Sequence, residues 1–129
     1  MSKKFLAVFL VSVCSIGHAQ TPDWVKLAET DEMVWDGRVG TREFGKTRSG
    51  KEMVVATGRI VDKKTKRITF EKWYVLVDHC RAGQGQLTTV DMEGAYKYET
   101  DFMFKGGTVA SSLAEMLCYA VSDRDGKGI

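Results

Sequence analysis

Histidine and cysteine are scarce in this sequence, which contains 2 and 3 of them among its 129 residues. A zinc site uses about four ligands, whereas His79 and Cys80 are accompanied only by the distant Cys118 once the N-terminal segment described below is removed. A cysteine nucleophile also needs a free thiolate, which a disulfide at Cys80 removes. We therefore expect no metal ion, no cofactor and no catalytic residue at this pair.

Long apolar runs are missing beyond the first residues. The longest run covers residues 5–13, far short of the roughly 20 residues that span a bilayer as a helix. Lys3 and Lys4 precede this run and Ala19 follows it among small residues. That order is typical of a secretory signal peptide over residues 1–19, cleaved after Ala19. We therefore expect an exported protein, in the periplasm or at the outer membrane and cell surface, without a transmembrane segment.

A lipid anchor at Cys14 is the less favoured alternative to simple cleavage. The bulky Val13 precedes this cysteine at a position where a lipoprotein signal needs a small residue.

An excess of charge of one sign is also missing. The chain has 19 basic and 17 acidic residues, and loss of Lys3 and Lys4 with the signal peptide makes the two counts equal. A neutral chain has no overall field to attract nucleic acid, so we expect no such partner. The remaining length suffices for one domain.

Two cysteines, Cys80 and Cys118, remain after cleavage. In an oxidising compartment, an even pair in a small domain is more often bridged than free. A bridge that closes a loop of this length contributes about 4 kcal/mol to stability.

Short runs of β-branched and aromatic residues alternate with polar turns, a pattern typical of antiparallel strands. In the run over residues 68–77, apolar residues occupy both faces, which favours a central strand. Gly106 and Gly107 end the last run, and Thr108 caps a helical pattern that continues to Tyr119. Six strands are predicted: 24–28, 33–35, 53–61, 68–77, 86–90 and 95–104.

The predicted fold class is therefore α+β. A small, meander-like antiparallel sheet of about six strands carries one C-terminal helix, pinned to the sheet by the Cys80–Cys118 disulfide. The single domain is expected over residues 20–121, followed by a flexible tail over residues 122–129.

Four segments carry a resemblance to a known protein family. They are Trp24-Val25-Lys26-Leu27, Val34-Trp35-Asp36, the strand from Trp73 that leads to Cys80, and the helix from Thr108 and Val109 that leads to Leu117-Cys118. In these motifs the sequence resembles the surface-adhesin protein E family of exported bacterial proteins. The resemblance implies a sheet-based α+β fold, a structural disulfide, no enzymatic activity and, in adhesive members, attachment to host extracellular-matrix proteins. The segment 37–50 departs from the family pattern, since it is more basic and richer in glycine.

Basic residues and two tyrosines are the candidate binding residues. Basic clusters attract anionic partners, although solvated turns are often charged and lysine also protects exposed β edges. The alternative to a core position for Tyr96 and Tyr98 is a contact strip, because strand alternation places them on one face. The aromatic residues expected mainly in the core are Trp24, Trp35, Trp73, Tyr96, Tyr98 and Phe102. The basic candidates are Arg38, Arg42, Lys46, Arg48 and Lys51 in one loop, and Lys63, Lys64, Lys66 and Arg67 in a hairpin turn.

Three apparent motifs lack the context that their chemistry needs. Residues 40–47 match the spacing of a phosphate-binding loop, but a strand pattern follows where a helix is required, so a mobile basic loop is expected. Residues 123–126 begin like a calcium loop without its closing glutamate. Ser111 and Ser112 lie in a helical pattern without a glycine elbow.

These observations favour a non-enzymatic envelope or surface protein that acts by protein–protein contact, with a host matrix protein as an adhesin-like partner. The alternative is a periplasmic inhibitor or immunity protein that blocks a hydrolase. The sequence leaves the partner, the oligomeric state and the exposed side of the outer membrane open.

Overall fold

The computed structural model describes residues 23–126, so the predicted signal peptide and Cys14 lie outside the described residues. Within this range, seven strands form one antiparallel sheet, accompanied by two helices. The strands are β1 (Trp24–Glu29), β2 (Met33–Arg38), β3 (Glu43–Lys46), β4 (Glu52–Asp62), β5 (Ile68–Leu76), β6 (Gln84–Val90) and β7 (Tyr96–Met103), and the helices are α1 (Val77–Ala82) and α2 (Val109–Asp125).

The strand order is β1-β2-β4-β5-β6-β7, which confirms the predicted meander with one addition. Strand β3 lies beside β2 on the same edge of β4. Residues 33–37 of β2 pair with residues 58–62 of β4, and residues 43–46 of β3 pair with residues 52–55. The long strand β4 therefore supports two short neighbours end to end.

The basic segment after Asp36 is more ordered in structure than the mobile loop that the sequence predicts. Strand β2 continues to Arg38, and β3 follows after a short turn. A second turn joins β3 to β4, closed by hydrogen bonds between Thr47 and Lys51 and by Gly50 in the left-handed region. The expectation of one loop over this segment is wrong because Phe44 pairs with Val54 across a regular ladder.

Helix α1 was not predicted, and α2 is longer than predicted. The fifth strand ends at Leu76 rather than residue 77, and Cys80 lies on α1. Helix α2 continues through Asp125, so the first part of the expected tail is helical. Arg81 pairs with Asp125 and Arg124 pairs with Glu52, and these two ion pairs hold the last turn.

The hydrophobic core lies between α2 and one face of the sheet. Trp73, Val75 and Val54 of the sheet are fully buried against Leu117 and Ala114 of α2. The predicted disulfide between Cys80 and Cys118 is present and joins α1 to α2. The predicted cap is confirmed as well, since the Thr108 hydroxyl accepts a hydrogen bond from the Ser111 amide. Among residues 23–126, no helix has the length and apolar character to cross a membrane.

Candidate functional site

The sheet face opposite α2 carries large apolar side chains that are open to solvent. We call it the uncovered face, because both described helices pack at the other face or at its end. Strand side chains alternate between faces, and on β5 Glu71, Trp73 and Val75 point into the core. On the uncovered face of the same strand, Ile68 is 45% exposed and Phe70 is 48% exposed.

Trp24 is the centre of a group of side chains on this face, which we call the Trp24 patch and which comprises Trp24, Asp36, Arg38, Arg59 and Phe70. The guanidinium carbon of Arg59 lies 4.4 Å from the centre of the Trp24 ring, and that of Arg38 lies 5.9 Å from it. The ring of Phe70 lies 5.9 Å from the Trp24 ring, at an interplanar angle of 45°. Distances below about 6 Å from a cation to a ring are those of cation–π contacts.

Strand register brings these residues together. Asp36 of β2 pairs with Arg59 of β4, and Arg59 pairs in turn with Phe70 of β5. Trp24 of β1 pairs with Arg38 at the end of β2. Directly paired residues share a face, so four strands contribute to one continuous surface.

The two arginines of the patch differ in electrostatic environment. The Nε of Arg59 donates a hydrogen bond of 2.8 Å to the carboxylate of the buried Asp36, which neutralises and orients Arg59. The side chain of Arg38 is 51% exposed, and its ion pair with Asp23 has an N–O distance of 3.9 Å. An exposed ion pair at that distance is weak. Arg38 is therefore the cation that the patch presents to solvent.

The other predicted basic residues of the first cluster are dispersed. Arg42 donates a hydrogen bond of 2.9 Å to the carbonyl of Met116 and lies over the ring of Tyr119 on α2. Lys46 ends β3, and Arg48 lies in the turn to β4. Arg38 is the member of this cluster that belongs to the Trp24 patch.

One basic side chain of the hairpin turn between β4 and β5 forms an ion pair within the protein. Lys63 pairs with Glu29 of β1, which also pairs with Lys26. Hydrogen bonds from Lys26 and Lys63 lower the pKa of Glu29 to about 2. The remaining basic residues of the turn are Lys64 and Lys66, which are exposed, and Arg67, which lines a cavity on the core side of the sheet.

Tyr96 and Tyr98 do not share a face. A register shift in the β6–β7 ladder pairs Tyr96 with Val90 and Tyr98 with Thr89. Because Val90 and Thr89 are adjacent and point to opposite faces, the two tyrosines do so as well. The predicted strip is wrong because this β-bulge inserts Lys97 as an extra residue.

The uncovered face is divided by charge. On its β1 to β5 side, four basic residues outnumber the acidic Asp36 and Glu29. The four are Lys26, Arg38, Arg59 and Lys72. Glu99 and Asp101 of β7 lie at the other edge, opposite Thr88 and Gln86. The half that contains the Trp24 patch is the basic half.

Residues that resembled catalytic or metal-binding groups have structural contacts. The Nδ1 of His79 accepts a hydrogen bond from the amide of Gln86. The Ser111 hydroxyl is buried and accepts a hydrogen bond from Thr108. Within residues 23–126, no three His, Cys, Asp or Glu side chains form a group that could hold a metal ion.

A comparison of the chain with protein-family models, with curated proteins and with solved structures finds no match.

Proposed function

We propose that this chain is a non-enzymatic exported protein that binds another protein through the Trp24 patch. The observation that carries the proposal is Trp24, held against Arg38 and Arg59 beside the exposed Phe70 on the uncovered face. Tryptophan and arginine are among the residues most enriched at the energetic centres of protein interfaces. Aromatic residues and arginine are also enriched in the buried parts of such interfaces.

The charge of the patch defines the chemistry of the partner. Arg59 is neutralised by Asp36, whereas Arg38 faces solvent with a weak ion pair. Lys26 is paired with Glu29, whereas Lys72 adds positive charge nearby on the same face. Complementary charge accelerates encounter and selects the partner, so the partner presents an acidic segment to this surface.

Export and adhesion are supported by the sequence. Residues 1–19 have the pattern of a secretory signal peptide, and the disulfide is compatible with an oxidising compartment. The resemblance to the surface-adhesin protein E family supports a host matrix protein as the partner, with the chain at the cell surface.

The test compares two charge reversals of equal size. The mature protein and its variants Arg38→Glu and Lys64→Glu are applied to an immobilised basement-membrane extract, and binding is followed by biolayer interferometry. We expect Arg38→Glu to weaken binding at least about tenfold, the range of interface centres. Lys64→Glu, in the β4–β5 turn, should leave the affinity within about twofold. Equal weakening by both variants would show that the Trp24 patch is not the binding surface.

Protease treatment of intact cells that express a tagged protein separates adhesion from the alternative function. Loss of the tag, with a periplasmic control protein preserved, supports exposure at the surface. A protected tag, together with a one-to-one complex recovered with a periplasmic hydrolase, would overturn adhesion in favour of an inhibitor or immunity protein.

A further inference from the structure

A fully buried carboxylate lies on the core side of the sheet, away from the Trp24 patch. Glu71 of β5 is 1% exposed. One of its oxygens, Oε2, accepts a hydrogen bond of 2.6 Å from the indole Nε1 of Trp73, and Oε1 lies 3.3 Å from the Nζ of Lys97. A buried carboxylate is strongly unfavourable unless hydrogen bonds and a cation compensate it. Trp73 provides a hydrogen bond, and Lys97 provides the cation.

Two cavities adjoin this carboxylate, and both are lined by Glu71 and Tyr98. The first has a volume of about 190 Å³ and walls that include Trp35, Trp73 and Leu113, with the Thr89 side chain as a polar group. This volume is large enough for several non-hydrogen atoms of a ligand, since one water molecule takes about 30 Å³ in the liquid.

The second cavity is polar and has a volume of about 290 Å³. Asp62, Arg67, Lys97 and Tyr98 contribute to its walls beside Glu71. The buried carboxylate therefore lies between an apolar space and a polar one. We call the two spaces together the Glu71 cavity.

The cation beside Glu71 is held less firmly than the carboxylate. Lys97 is the residue inserted by the bulge in β7, an edge strand of the sheet, and its side chain is 36% exposed. Its ammonium reaches the carboxylate from outside, whereas Glu71 and Trp73 are fixed in the core. A partly exposed lysine at an edge can leave this position when another cation replaces it.

We propose that the Glu71 cavity binds a primary ammonium group on an unbranched alkyl stem, and that Lys97 occupies the ammonium position in the free protein. The ligand ammonium donates to the Glu71 carboxylate, and its stem packs against Trp35, Trp73 and Leu113. This site is independent of the Trp24 patch, because it lies on the opposite face. The ligand is a free alkylamine or the lysine side chain of a protein, which share this chemistry.

Chemical rescue tests the proposal. Lys97→Ala removes the internal ammonium, and n-butylammonium chloride is then titrated into the folded variant while the indole N–H of Trp73 is followed by NMR. We expect a saturable shift of this resonance and a rise in Tm. Tetramethylammonium chloride, which has no N–H donor, should produce neither. The double variant Lys97→Ala/Glu71→Gln should not respond to n-butylammonium.

Lys72→Ala is the matched control, because Lys72 is a strand lysine on the uncovered face. The shift of the Trp73 indole resonance with n-butylammonium should be no larger in Lys72→Ala than in the unsubstituted protein. In both proteins Lys97 competes with the ligand. If Lys97→Ala does not fold, Lys97→Met retains the stem and leaves the ammonium position open, with methylammonium as the probe. Absence of a saturable shift in the folded variant, or a shift that survives Glu71→Gln, would overturn the proposal.

A second titration distinguishes the two sources of the ligand. The peptide acetyl-Gly-Lys-Gly-amide is compared with n-butylammonium on the Lys97→Ala variant. A shift with both probes supports a protein lysine as the ligand, and a shift with n-butylammonium alone supports a free alkylamine.

Discussion

Gly58 shows how the absence of one side chain controls the packing of the core. The Trp73 ring, fully buried on β5, lies against the backbone of β4 at this glycine. A methyl group at position 58 would overlap the ring. Because Trp73 also donates to Glu71, any displacement of the ring disturbs the buried carboxylate.

We expect Gly58→Ala to lower the free energy of unfolding by about 3 kcal/mol, the upper range for overpacking of a core. Urea unfolding followed by tryptophan fluorescence measures the change. Gly45→Ala in β3 is the control, because its nearest atom is the flexible terminal methyl of Met53 at 3.5 Å. Gly45→Ala should change the stability by about 0.5 kcal/mol or less, and an equal loss in both variants would contradict the role of Trp73.

Glu29 should contribute to acid sensitivity. Its pKa is lowered from 4.5 to about 2, first by the hydrogen bond from Lys26 and then by that from Lys63. A carboxylate with a lower pKa in the folded state stabilises the protein above its unfolded pKa, and this contribution disappears as the pH falls from 4.5 toward 2. We expect Glu29→Gln to show a smaller decrease in Tm across this interval than the unsubstituted protein. Glu93→Gln, in the β6–β7 turn, is the control and should retain the original pH profile; an identical profile for Glu29→Gln would refute the assignment.

The sequence identified Arg38 as a candidate for binding but assigned Trp24 to the core. The patch depends on which residues of β1, β2, β4 and β5 stand opposite one another, and this register is not visible in the hydrophobic pattern of any one strand. The bulge at Lys97 is also not visible in the pattern of one strand, because alternation alone predicts a common face for Tyr96 and Tyr98. Local pattern therefore indicates the residue types of a site, whereas pairing between strands determines which of them meet.

At the scale of elements, the long strands and the C-terminal helix could be predicted, and the short elements could not. Strand β3 has four residues, of which Phe44 is the large apolar one, so its pattern is too brief to detect. Helix α1 was missed because Val75, Leu76 and Val77 form one continuous apolar run across the boundary. The last turn of α2 was missed because its polar residues depend on distant ion pairs with Glu52 and Arg81.

The disulfide should be the strongest single constraint on α2. Cys80 and Cys118 are 38 residues apart in sequence and both are buried. We expect Cys80→Ala/Cys118→Ala to lower the free energy of unfolding by about 4 kcal/mol, because the open chain gains conformational entropy when unfolded. Urea unfolding measures this loss, and the unsubstituted protein unfolded in reducing agent should show a similar one. A double variant as stable as the oxidised protein would contradict this expectation.

At the scale of the whole molecule, the sequence predicts a processed chain. Expression of the full sequence in a Gram-negative host, followed by intact mass measurement, should give a protein that begins at Gln20. Ala19→Glu should retain the full-length mass, because a large acidic residue before the cleavage site blocks processing. A mass that corresponds to an acylated chain beginning at Cys14 would instead support the lipid anchor.

The charge division of the uncovered face has a consequence for how the protein moves near a charged surface. Residues 20–129 contain 17 basic and 17 acidic residues, so no net force draws this part of the chain toward that surface. Because Arg38 and Lys72 lie in one half of this face and Glu99 and Asp101 in the other, an anionic surface attracts the first half and repels the second, within a screening length of about 8 Å at physiological salt. The uncovered face therefore meets such a surface with its β1 side first.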